Sequence, residues 1–93
     1  METHNLLKTA DHNAIFRPGV KIVVGAKQLK KALAKGCAKV VFLAENADPA
    51  VTEPLEELCT ANHIQITWVR SMAELGRACG IEVGAAAAAV LTS

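Results

Sequence analysis

From Lys39 to Ala44 the chain reads Lys-Val-Val-Phe-Leu-Ala, an apolar run without the polar alternation of a half-exposed strand. A strand of this kind is covered on both faces. Amphipathic segments lie on either side of it in the sequence, so the cover is helical. Strand and helix segments alternate along the rest of the chain. That order specifies an α/β fold, a three-layer α/β/α sandwich around a small mixed four-stranded sheet. Ninety-three residues are enough for one such core, so residues 1–93 read as a single domain.

The flanking segments have clear punctuation. Val20 to Val24 is a short strand, and Gly25 to Lys35 a helix with Ala26, Leu29, Ala32 and Leu33 on its apolar face. Gly36 sits where a helix C-cap glycine belongs. After the apolar run comes a loop, Glu45-Asn46-Ala47-Asp48-Pro49. Thr52 to Asn62 reads as a helix with Leu55, Leu58 and Cys59 inward, and Pro54 fits only in its first turn. Ile64 to Val69 is a strand. Ser71, with Glu74 three residues on, makes a capping box for a short helix that Gly80 ends. The tail is open to two readings. Five alanines after Gly84 favour helix by propensity, yet small side chains also suit a central strand lying close under helices. Residues 1–16 are expected to be a weakly attached segment, in which Leu6, Leu7 and Ala10 could share a helix face. Arg17-Pro18-Gly19 breaks it.

Charge is distributed more tellingly than its net value of +1. From Arg17 to Lys39 every charged residue is a cation (Arg17, Lys21, Lys27, Lys30, Lys31, Lys35, Lys39). From Val40 to Val69 every one is an acid (Glu45, Asp48, Glu53, Glu56, Glu57). The molecule is therefore bipolar, with a basic region able to meet a polyanion. Aromatics are Phe16, Phe42 and Trp68, with no tyrosine, so no row of stacking side chains is available to read bases. Cys37, Cys59 and Cys79 are widely spaced and form no C-x-x-C, so reduced thiols and no metal site are expected. No apolar run reaches membrane-spanning length, and no signal peptide is evident. A cytoplasmic protein with no membrane partner follows, and nothing in the sequence calls for a second copy, so a monomer is expected.

No catalytic set emerges. His4, His12 and His63 have no nucleophile in an elbow beside them. There is no Walker loop and no G-x-G-x-x-G after a strand. Gly76, Gly80 and Gly84 are spaced by four but interrupt a helix and a loop. The chain is thus expected to be no enzyme, to need no cofactor and to take no small-molecule substrate. The stretch Val23-Val24-Gly25-Ala26-Lys27-Gln28-Leu29-Lys30-Lys31 stands out instead. A helix N-terminus offers unpaired N–H groups and partial positive charge, and this one adds lysines and an amide. Two loops join it as candidates. Glu45–Pro49 lies at the C-terminal end of the buried strand, where α/β sheets bind ligands, although an Asp before Pro commonly serves a turn or cap. Ile81 and Val83 sit between glycines, where they either lid the core or face a base.

The order Gly25-x-Lys27-Gln28-x-x-Lys31, then Leu43-Ala44-Glu45-Asn46-Ala47-Asp48-Pro49, then Leu75-Gly76-Arg77-Ala78-Cys79-Gly80-Ile81-Glu82-Val83 resembles the large-subunit ribosomal protein seven-Ae family, related to the thirty-e and twelve-e ribosomal proteins. The resemblance covers about residues 20–92 and is strongest to small bacterial members with Lys-Gln in the first motif. It implies an α/β/α protein that binds kink-turn RNA, whether ribosomal RNA or a riboswitch-like element. It implies that Gly25, Lys27, Gln28 and Lys31 face sheared G·A pairs and flanking phosphates. Asp48 would accept a hydrogen bond from the extruded nucleotide, and Ile81, Glu82 and Val83 would pack beside it. Many relatives have Asn-Glu in place of Lys27-Gln28, and a lysine in place of Met72. The family also includes proteins known for protein partners. A protein-interaction module using the acidic helix at Glu53, Glu56 and Glu57 is the competing expectation.

Overall fold

The structure, a computed structural model, describes residues 20–92. The helix expected within residues 1–16 lies outside them. The described chain runs β1 (Ile22–Val24), α1 (Ala26–Lys35), β2 (Ala38–Ala44), α2 (Pro49–Ala61), β3 (Gln65–Val69), α3 (Met72–Ala78) and β4 (Ala87–Leu91). The sheet order is β1-β4-β2-β3. β4 pairs antiparallel with both β1 and β2, and β2 pairs parallel with β3. β1, β2 and β3 therefore all point the same way, and each delivers its following loop to one edge of the sheet.

β2 is covered on both faces, as its apolar run requires. Val41 and Leu43, both 0% exposed, point toward α1 and α2, where Leu29, Leu33, Leu55 and Cys59 complete one core. Phe42 and Ala44 point the opposite way and pack with Leu75, Ala78 and Cys79 of α3. The alternation of side chains along a strand thus assigns one β2 residue to each layer in turn. The α/β/α sandwich and the mixed four-stranded sheet both stand.

The alanine tail is a strand, and a central one. Packing outweighs the helical preference of alanine because the site between two bulky strands admits little else. Ala88 lies opposite Val24 on one side and Phe42 on the other. Ala89 lies between Val23 and Val41 in the same way. Ala87, Ala88 and Ala89 are fully buried, and larger side chains there would push the helices off the sheet.

Two expectations for α2 need correction. The helix begins at Pro49 rather than Thr52, because the Asp48 side chain caps it by accepting a 2.9 Å hydrogen bond from the Ala50 N–H. Pro49 then occupies the first turn, where a missing N–H costs nothing. Pro54 consequently falls inside the helix. Its ring deprives the Ala50 carbonyl of its helical donor, and Ala50 is an exposed residue, where such a loss is cheapest. Leu58 was expected inward but is 37% exposed. Thr52, Leu55 and Cys59 form the buried stripe, and Leu58 stands about 100° around the helix from Cys59.

Candidate functional site

The loops after β1, β2 and β3 share one edge of the sheet with the loop that enters β4. Backbone hydrogen bonds stitch them together. The Gly25 N–H donates to the Ala87 carbonyl at 2.8 Å, and the Ala44 N–H to the Ala86 carbonyl at 3.0 Å. The Glu45 N–H donates to the Val69 carbonyl at 2.8 Å. The Ala85 N–H donates to the Met72 carbonyl at 3.0 Å. Strand direction therefore brings the Gly25 and Glu45–Pro49 segments to one edge, and Ile81–Val83 runs beside α3 back toward that edge through Ala85.

α1 contributes the most open helix start. Gly25 is its N-cap, at φ 103° and ψ 147°, a conformation open essentially to glycine alone. Among the described residues no side chain caps α1, and no acid lies in its first turn, whereas Asp48 caps α2 and Ser71 caps α3, accepting from the Glu74 N–H at 3.1 Å. Its first-turn N–H groups are left for an outside acceptor. Lys27, Gln28 and Lys31 are exposed beside them, while Leu29, Ala32 and Leu33 anchor the other face in the core. The helix is thus held rigidly by one side and offers cations and an amide on the other.

Asp48 is exposed at the start of α2, with one carboxylate oxygen engaged in capping and the other free to accept. The capping and binding readings of Asp48 are compatible, because a carboxylate has several acceptor positions. Beside it, the Asn46 side-chain oxygen accepts a 2.8 Å hydrogen bond from the Met72 N–H, tying this loop to the start of α3.

Ile81, Glu82 and Val83 are exposed, Val83 by 70%, so they do not lid the core. Ala85, 5% exposed, fills that place. The loop is nonetheless well placed. Gly80, at φ 80°, reverses the chain after α3, with the Gly80 N–H on the Arg77 carbonyl and the Ile81 N–H on the Gly76 carbonyl, both at 3.0 Å. The chain then runs back along α3 and leaves a shallow groove of about 320 Å³ lined by Ala73, Arg77, Ile81, Glu82, Val83 and Gly84.

Asn46, Gly76 and Arg77 also belong to this region, beyond the contact residues expected from the sequence. Asn46 acts across a separation of 26 residues, which no local pattern reveals. Gly76 had a signal: glycine inside a helix costs about 1 kcal/mol against alanine, so its presence marks a close approach. Arg77 is exposed on the groove. The three cysteines are free. Cys59 and Cys79 are buried, and Cys37 is half-buried. Burial pushes the Cys79 thiol up to about 11, and burial together with nearby Glu56 raises that of Cys59. No helix among the described residues is long and apolar enough to cross a membrane.

Comparison with known proteins adds independent findings. The model of the ribosomal protein L7Ae/L30e/S12e/Gadd45 family matches residues 9–93. An RNA-binding protein of Bacillus pumilus is 46% identical over 70 residues, which is 75% of this chain and 85% of that protein. The large ribosomal subunit protein eL8 of Halobacterium salinarum is 40% identical over 70 residues, 74% of this chain and 58% of that protein. Among solved structures, the Giardia lamblia 15.5kD RNA binding protein is similar with a TM-score of 0.76 at 27% identity, over 96% of this chain and 70% of that one.

Proposed function

The chain belongs to the ribosomal protein L7Ae/L30e/S12e/Gadd45 family, and on that premise we propose that it is a non-enzymatic RNA-binding protein, ribosomal or ribosome-associated, that recognises kink-turn elements at their sheared G·A pairs. The observation that carries this reading is the uncapped start of α1, with Lys27, Gln28 and Lys31 exposed at the same sheet edge as Asp48, and with the exposed Ile81–Val83 segment leading back toward that edge. The first-turn N–H groups and Gln28 meet base edges. Lys27 and Lys31 meet flanking phosphates and supply a salt-dependent share of the affinity. Asp48 accepts a hydrogen bond from the extruded nucleotide, and Ile81, Glu82 and Val83 pack beside it.

Recognition by shape suits this chain. A bent RNA with a splayed nucleotide is read by a rigid helix start and an apolar loop, with no aromatic platform. The proposal includes a cytoplasmic monomer of one domain. The competing reading is a protein-interaction module using α2, and the exposure of Leu58 and Trp68 (42%) near the acidic helix favours it. Sequencing the RNA that co-purifies with the protein separates the two. Enrichment of elements with tandem G·A pairs supports RNA recognition. A preparation free of RNA, with a protein partner crosslinked at Glu53 or Glu57, supports the rival.

A further inference from the structure

We propose that Gly76 and Gly84 are positioning residues for nucleotide recognition: they let the Ile81–Val83 loop lie directly on α3 and so fix where that loop meets the extruded nucleotide. The proposal rests on the RNA-binding reading of the loop. Gly76 is buried at the middle of α3, a place where an ordinary helix carries a side chain. A Cβ there would overlap the carbonyl oxygen of Val83, and it would come within 3.1 Å of the Gly84 Cα. The obstruction is backbone, which cannot swing aside as the end of a long side chain does. At Gly84 a Cβ would lie 3.1 Å from the Met72 Cβ and 3.3 Å from the Met72 carbonyl.

Neither glycine is needed for its dihedral angles, since the positive φ in this region belongs to Gly80. Both are needed for proximity. They make a two-point seat for a loop whose apolar side chains are turned outward rather than into the core, as the exposure of Ile81 and Val83 requires. The seat is fastened at either end, by the Ile81 N–H on Gly76 and the Ala85 N–H on Met72. Because the Met72 N–H is also held by Asn46, the seat is registered against the Asp48 loop. Lifting the loop off α3 would move Ile81 and Val83 relative to Asp48 while leaving the α1 start in place.

The test uses the full chain and two kink-turn RNAs, one intact and one with an abasic residue at the extruded position. Wild type is expected to prefer the intact RNA. Gly84→Ala is expected to fold, to bind the intact RNA on the order of tenfold more weakly, and to lose most of its preference over the abasic RNA. Its salt dependence stays that of wild type, because the α1 lysines are unmoved. Gly84→Ala/Met72→Gly, which removes the Cβ that the new methyl meets, recovers part of the preference. Gly76→Ala gives the larger loss if it folds, and Gly84→Ala decides the matter if it does not. A wild type indifferent to the abasic substitution overturns the RNA reading of the loop. A folded Gly84→Ala with wild-type preference overturns the positioning role alone.

Discussion

The Asn46 side-chain oxygen holds the Met72 backbone N–H at 2.8 Å, and through this bond the loop after β2 is fixed to the start of α3. Met72 opens α3, so its N–H has no partner within the helix. The same residue accepts from Ala85 through its carbonyl. Asn46→Ala is expected to destabilise the fold by about 1 kcal/mol, the scale of one hydrogen bond. A urea titration checks the value, and a melting point lower by about 4–8 °C should accompany it.

Lys31 and Gln28 should fail in different ways. On the proposed reading Lys31→Ala removes a phosphate contact and Gln28→Ala a base-edge contact. For Lys31→Ala, affinity for a kink-turn RNA therefore falls and the slope of log K against log salt drops by about 1. For Gln28→Ala, affinity falls with the slope unchanged. Both residues are exposed, and the melting point of either variant should stay within about 4 °C of wild type. Fluorescence anisotropy at several salt concentrations reads both effects.

On the proposed reading Asp48 serves two ends at once. Asp48→Ala loses the α2 cap and should cost about 1 kcal/mol in addition to weakened RNA binding. Asp48→Ser retains a capping oxygen but lacks a second free acceptor of the same reach. It should restore most of the stability and little of the affinity. Matched denaturation and binding curves for the pair separate the cap from the contact.

The buried thiols give a pH signature. Folding holds the Cys79 proton up to about pH 11, while the unfolded chain releases it near the ordinary thiol value of 9.0. Between those values the unfolded state binds fewer protons, so stability falls as pH rises through the window and is unaffected below it. The urea midpoint of wild type should drop further from pH 8 to pH 10.5 than that of Cys79→Ala. Cys79→Ala leaves every other side chain in place, so the difference belongs to the thiol.

The layers were legible because β2 states its own burial: an apolar run without alternation admits only helices above and below. The exposed face of α1 was legible for a related reason. Leu29 and Leu33 mark the buried face, which leaves Lys27, Gln28 and Lys31 outside. What local pattern could not show was competition between sites far apart in sequence. The alanines at 87–89 become a strand only because Val23, Val24, Val41 and Phe42 crowd them from both sides. Asp48 starts α2 early by capping it, which carries Pro54 into the helix interior. Gly76 and Asn46 serve partners that the fold alone brings near.

The central claim is that the α1 start reads sheared G·A pairs rather than RNA charge in general. The most direct measurement is a paired titration, at one fixed salt concentration, of a kink-turn RNA and the same RNA with its G·A pairs converted to Watson–Crick pairs. Binding to the first is expected to be tighter by a factor on the order of a thousand, the lower end of the usual gap between specific and non-specific nucleic-acid binding. Equal affinity for the two would contradict it.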